Sequence, residues 1–266
     1  MGALDNLGSE ITHLLAELAG KDIWDFGWGS ITTYSVWIVI VLIFVFAIIW
    51  VVKSRVSLVP KKGPVAAIEA TVDYIRREVG YGVFGHKEAV DKHMPFLLTV
   101  FFFILTANLV GLIPGAKAAT GAFSATLTLA VVSFVYFNYY GIKHSGLGHY
   151  LANIAPKGIM PGLNVLVWLI ELFSLFLRVV TLSVRLFANM FAGHIAIGAF
   201  AILTSLFVSP LIQEFTLANL GGAAPAIGWL LLVVLMYGME LMVAFIQAYV
   251  FTLLSAVYIQ LATSEH

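Results

Sequence analysis

Apolar runs long enough to cross a bilayer recur along this chain, and the polar residues between them fall in short clusters. Residues 31–52 are 22 successive positions without a charge. At about 1.5 Å per residue they cover a hydrocarbon core of about 30 Å, which makes them a first span. Residues 96–113 and 122–140 supply two more spans, joined by a short turn holding Pro114, Gly115 and Lys117, and so predict a transmembrane hairpin. Residues 163–208 then run for 46 positions and 227–262 for 36. A perpendicular span needs only about 20, so these segments must tilt steeply or break. Between them Pro210, Asn219, Gly221, Gly222 and Pro225 predict an external turn over 209–226. Dividing 163–208 into two spans at Arg185 would reverse the side of everything that follows, but no cluster of turn residues marks such a break.

One polar stretch carries helical periodicity. Val65, Ile68, Val72, Ile75 and Val79 recur at steps of three and four with Glu69, Asp73, Arg76 and Arg77 between them. This predicts an amphipathic helix in the inner interface, begun at Pro64 and closed by Gly80. The first 30 residues carry Asp5, Glu10, Glu17, Asp22 and Asp25 against Lys21 alone and lack the basic start of a signal peptide, so they read as a polar lead-in. The fold predicted is an all-α polytopic membrane protein with about five membrane-embedded helices plus the interfacial helix, the last two helices forming a long tilted hairpin. It is one membrane domain over 1–266: an external segment (1–30), the first span and interfacial helix (31–95), a transmembrane hairpin (96–140) and the long hairpin (163–262). No internal repeat is evident, which weighs against a transporter built from repeated halves.

Charge sets the sides. Lys53, Arg55, Lys61, Lys62, Arg76, Arg77, Lys87 and Lys92 follow the first span directly, and Lys143 and Lys157 follow the hairpin. Ten of the 14 basic residues thus lie on one side, against Lys21 and Lys117 on the other. That side is cytoplasmic, with the N-terminus external and the C-terminus inside. A composition of 61% hydrophobic and 11% charged residues with mean hydropathy +0.99 excludes a soluble domain, in which about a quarter of residues are charged. Zero net charge leaves no nucleic-acid footprint, and zero cysteines remove disulfides and thiolate chemistry. GxxxxGK[ST], HExxH and GxSxG are all absent. Transport, membrane scaffolding or an unusual intramembrane enzyme remain.

Glu171, Arg178, Arg185, His194 and Glu240 are ionisable residues inside the long final segments. A charge at the bilayer centre costs from about 3 to above 10 kcal/mol, so each needs a partner, water or a protein-lined cavity. Glu171, Arg178 and Arg185 are spaced by seven and form one stripe, with Asn189 a turn beyond. His194 falls on the opposite face, in a part of the helix kept thin by Gly193, Gly198, Ala188, Ala192 and Ala196. Counted from the predicted turn, His194 and Glu240 lie at one depth, while Arg185 and Gln247 lie together but deeper. Imidazole exchanges protons near neutrality and a carboxyl withdrawn from water holds its proton to higher pH, which suits a relay. A guanidinium stays protonated and blocks a proton electrostatically. The pattern therefore describes a proton path interrupted at Arg185, continued only by a carboxyl that this chain does not offer at that depth.

Blander readings accompany each residue. Glu171 with Arg178 can be a structural or snorkelling pair, His194 with Glu240 an interhelical hydrogen bond, and Asn189 and Gln247 packing glue. Ser183 and Thr181 lie near Arg185, but no base shares their face, which counts against an intramembrane hydrolase. His86, His93, His144 and His149 lack acids or cysteines at metal-ligand spacing, so no metal site is predicted.

The stretch Arg185-Leu-Phe-Ala-Asn-Met-Phe-Ala-Gly-His194 closely resembles the signature helix of subunit a of rotary F-type ATP synthases. Glu171 and Arg178 fit that family's acid and base upstream of its essential arginine. Ile246-Gln-Ala-Tyr-Val-Phe-Thr-Leu-Leu-Ser-Ala-Val-Tyr258 fits its last helix, and Asn108 resembles an asparagine of its first hairpin. The resemblance covers essentially the whole chain. It implies a stator with two offset half-channels, packed against a c-subunit ring, held by peripheral-stalk b subunits within the F1Fo complex and the lipid bilayer, with no cofactor or metal of its own. Arg185 would separate the half-channels and discharge the ring carboxylate. Asn189, His194, Glu240 and Gln247 would line the outer path, Glu171 and Arg178 would lie nearer the inner one, and Asn108 would also belong to the proton path. Some bacterial members carry an acid in place of His194 and a histidine in place of Glu240, so this chain resembles the mitochondrial arrangement. A further acid that some members place just after the Asn108 helix is absent. The external acidic N-terminus and the length of 266 residues favour a bacterial inner membrane. The competing reading is a stand-alone proton-coupled secondary transporter.

Overall fold

A computed structural model of the chain describes residues 8, 12, 22–25, 30–55, 63–146, 148, 161–213 and 217–263. A short antiparallel pair, β1 (Asp22–Asp25) and β2 (Ser30–Thr32), occupies part of the stretch expected only to be a polar lead-in, with Asp22 opposite Thr32 and Asp25 opposite Ser30. Helices follow: α1 (Thr33–Arg55), α2 (Pro64–Ile75), a π-helical turn (Arg76–Tyr81), α3 (Gly82–Phe84), α4 (Lys87–Gly111), a 3-10 turn (Ala119–Gly121), α5 (Phe123–Ser145), α6 (Pro161–Gln213) and α7 (Leu217–Thr263). Five of these, α1, α4, α5, α6 and α7, are long and apolar enough to cross a membrane. The chain is an all-α polytopic integral membrane protein, its strands among the described residues confined to that short pair.

The last two helices hold 53 and 47 residues, on the order of 70–80 Å each and more than twice the hydrocarbon thickness. α6 runs unbroken through Arg185, which excludes a division into two spans there. The turn expected over 209–226 is corrected: α6 continues through Pro210 to Gln213, and α7 starts at Leu217 with Pro225 inside it. Each proline forfeits one backbone hydrogen bond. Unwinding in apolar surroundings would strand many more, so the helix tolerates its breakers.

The predicted amphipathic helix is also corrected at its end. It begins at Pro64 as expected, but passes through Gly80 and stops at Gly85, whose φ of 72° is left-handed. Gly80 meets a packing demand instead, since a Cβ there would press to 3.0 Å from Val90 of α4. Ile75 and Val79 are buried in the core that α4 also enters, and Arg76 pairs with Asp91. Asp73 and Arg77 pair with each other on the exposed side.

The main core lies where α4, α5, α6 and α7 meet. Leu97, Phe101 and Ile104 of α4 pack with Ala130 and Phe137 of α5, Leu182 and Leu186 of α6, and Phe251 and Ile259 of α7. Lipid chains are as apolar as leucine, so these helices associate by close packing and interhelical hydrogen bonds. Small residues permit it: Ala244, Ala248, Ser255 and Ala256 are buried along α7. α1 docks separately, through Val41 and Val45 against Ala107 and Ala119.

Candidate functional site

Residues on one stripe of α6 decide where its polar groups point. Val179, Leu182, Leu186, Met190, Gly193 and Ile197 are buried at steps of three and four, so this face turns toward the bundle. Arg185 falls off the stripe and is exposed, in the middle of a membrane-length helix. The ion pairs among the described residues are Arg76 with Asp91 and Arg77 with Asp73, so the Arg185 guanidinium has no carboxylate from those residues.

α7 runs antiparallel to α6, and three contacts fix the register. Trp229 stacks on Phe200 at 6.0 Å between ring centroids, the Glu240 carboxylate lies on Gly193, and Tyr258 lies 5.0 Å from the Arg178 guanidinium. Glu240 is 4% exposed. A Cβ built on Gly193 would overlap its carboxylate, so the glycine is the seat on which that group rests. His194 follows directly, and its buried Nε2 has no hydrogen-bond partner among the described residues. The interhelical hydrogen bond offered above as a bland reading of His194 and Glu240 is therefore not formed through Nε2. Arg185 and Gln247 share a level between the Gly193 and Arg178 contacts, as the depth count from the sequence anticipated. Gln247 is buried and Asn189 half-buried.

Other expected residues lie apart from this level. Arg178 rests on the Tyr258 ring rather than pairing with Glu171, which is half-buried. Asn108, fully buried in α4, donates to the Ala244 carbonyl at 3.4 Å and accepts from Thr120 at 2.6 Å. Ala244 is one turn from Glu240 on α7, so Asn108 ties the α4–α5 connection to the helix that carries the buried acid. Ser183, considered and set aside as a nucleophile, shares a hydrogen bond with Thr126 at 3.2 Å. The second hydroxyl pair, Ser133 with Ser255 at 2.9 Å, was not anticipated. Single hydroxyls in apolar helices were its only signal.

The arrangement joins a buried carboxylate, an imidazole whose Nε2 has no hydrogen-bond partner among the described residues and, about two turns along α6, an exposed guanidinium. Such groups can hold, pass and repel a proton without help from a metal ligand set.

A family model described as ATP synthase A chain matches residues 33–260, from the start of α1 to the last turn of α7. The chain is 37% identical over 240 residues to ATP synthase subunit a of Chlorobium phaeobacteroides, covering 89% of this chain and 66% of that protein. It is 36% identical to ATP synthase subunit a of Chloroherpeton thalassium, covering 96% and 72% respectively. Against ATP synthase subunit a 2 of Chlorobaculum tepidum it is 39% identical, covering 96% and 67%. The chain thus spans about two thirds of the length of these curated relatives. With the family model matched over nearly all its membrane helices, the chain belongs to the ATP synthase A chain family.

Proposed function

We propose that this chain is the proton-channel stator subunit of a rotary F-type ATP synthase. The observation that carries the reading is Arg185, exposed on a membrane-length helix without an acidic partner among the described residues. A cation in that setting calls for an outside carboxylate, and the family reading supplies one on the c-subunit ring. Protons enter from outside, pass Asn108, Asn189, Gln247, His194 and Glu240, and load the ring carboxylate. They leave by an inner half-channel near Glu171 and Arg178 after the ring has turned. Arg185 keeps the two half-channels apart, because its fixed charge repels a proton and draws the ring acid into its ionised form. The neighbouring stator partners are peripheral-stalk b subunits. The host is a bacterial inner membrane, with the N-terminus outside and the C-terminus in the cytoplasm. One membrane domain carries the whole path, and apart from Asn108 its residues lie in the 163–262 hairpin.

ATP-driven proton pumping in inverted vesicles holding the assembled synthase tests this reading. Arg185→Ala is expected to abolish pumping and to open a passive leak, while the double swap His194→Glu with Glu240→His keeps measurable pumping. Undiminished pumping without Arg185 would overturn the stator and favour a stand-alone proton-coupled transporter.

A further inference from the structure

At the end of the bundle that carries Lys87, Lys92 and Lys143, a cavity of about 460 Å³ opens between the start of α4 and the ends of α5 and α7. It lies outside the proton path described above, and its polar wall is formed by His86, Glu88, Lys92, His93, His144 and Gln260. His93 is 3% exposed, and its Nδ1 shares a hydrogen bond with the Tyr136 hydroxyl at 3.2 Å. Which ring nitrogen donates follows the tautomer, and the ring lines the cavity wall beside Lys92. His86, the N-cap residue of α4, makes no side-chain cap hydrogen bond, and with Glu88 and Ala89 of the first turn it lines the cavity, which brings the positive pole of the helix to the same space.

Glu88 and Lys92 stand at i, i+4 on this helix, a spacing at which such residues ordinarily pair. Here they do not form an ion pair. The Lys92 ammonium lies 4.7 Å above the Tyr140 ring instead, and the Glu88 carboxylate stays exposed. The cavity therefore holds donors and a cation on one part of its wall and an unneutralised carboxylate on another. That is complementary to a small zwitterion, a phosphate joined by a short linker to an ammonium. Phe84 and Ala89 continue the wall with apolar surface, and Tyr139 and Tyr140 beside it are residues suited to a bilayer interface.

We propose that this cavity binds the phosphoethanolamine headgroup of a phospholipid, its phosphate on His93, Lys92 and the first turn of α4, its ammonium on Glu88. The acyl chains remain in the bilayer, and the bound lipid ties the ends of α4, α5 and α7 together.

The test uses the whole complex containing this chain, purified from vesicles of equal parts phosphatidylethanolamine and phosphatidylglycerol. Lipid retained after detergent exchange is counted by mass spectrometry. Wild type is expected to keep phosphatidylethanolamine in preference to phosphatidylglycerol. Lys92→Gln, on an exposed residue, should lower retention by about tenfold, the scale of one charge-assisted hydrogen bond. Glu88→Gln should erase the headgroup preference while leaving total retention near that of wild type. Equal retention in wild type and Lys92→Gln, or no preference in wild type, would overturn the proposal, as would a cavity covered by another subunit and free of lipid. Soluble O-phosphoethanolamine displacing the lipid at equal concentration would also overturn it, by assigning the site to the free compound.

Discussion

Two groups of polar residues sit within a few turns of each other in this bundle, and they are treated in opposite ways. Where α4, α5 and α7 meet α6, the polar groups close on one another: Asn108 with Thr120 and the Ala244 carbonyl, Thr126 with Ser183, Ser133 with Ser255. On the α6–α7 hairpin they stay open. Among the described residues His194 Nε2 has no hydrogen-bond partner and Arg185 no acid, and the Glu240 carboxylate rests on the backbone of Gly193. A membrane interior penalises unsatisfied polar groups, so stability alone explains the two hydroxyl pairs, while Asn108 joins a scaffold bond to its proposed place on the path. In the proposed function the open set serves water, a proton or a partner carboxylate, and α6 and α7 pack elsewhere through apolar and small residues.

Gly193→Ala is the sharpest way to disturb the open set. An added methyl would occupy the space of the Glu240 carboxylate, which must then shift by an ångström or more. Misplacement on that scale costs up to about 100-fold in rate, so ATP-driven pumping should fall between about 10-fold and 100-fold. The synthase should still assemble, because overpacking of one methyl destabilises by only about 1–3 kcal/mol. Pumping within twofold of wild type, measured as the initial rate in inverted vesicles, would mean that the carboxylate's position is immaterial.

Asn108→Ala asks whether a residue of the closed set is mainly structural. Two hydrogen bonds go, and Thr120 loses its acceptor, so the unfolding free energy in mixed micelles should drop by about 2 kcal/mol. Thr120→Val removes only one of these bonds and should cost about half as much. If Asn108→Ala leaves stability untouched yet stops pumping, its place is on the proton path and not in the scaffold.

How far this contrast could be read from the sequence depends on the kind of signal. The levels of His194 with Glu240 and of Arg185 with Gln247 were legible because antiparallel helices share one rise per residue. Counting outward survives even a misplaced turn: α6 overran its expected end by five residues and α7 began ten earlier, errors that largely offset. The turn itself was misread because proline and glycine break helices in water, where freed backbone groups are solvated, and not in lipid. Gly80 and Gly85 are indistinguishable as letters; contact with Val90 separates them. That Arg178 rests on Tyr258 and that four hydroxyls form two pairs are facts of tertiary register, with no periodicity to announce them.

The smallest effect is expected at the best-closed pair, and it is the cleanest control on the whole contrast. Ser133 and Ser255 sit 2.9 Å apart between α5 and α7, each nearly inaccessible. Replacing one by alanine leaves the other hydroxyl free to turn back onto its own helix carbonyl, the bond that Thr252 already makes to Ala248 at 2.8 Å. The loss is thus partly recovered, and a double-mutant cycle should return a coupling of about 0.6 kcal/mol, below about 1.7 kcal/mol at most. The double variant should also pump like wild type, since neither hydroxyl contacts the hairpin groups left open. Any loss of pumping in Ser133→Ala/Ser255→Ala with stability preserved would carry the open set across α5 and erase the boundary between the two regions.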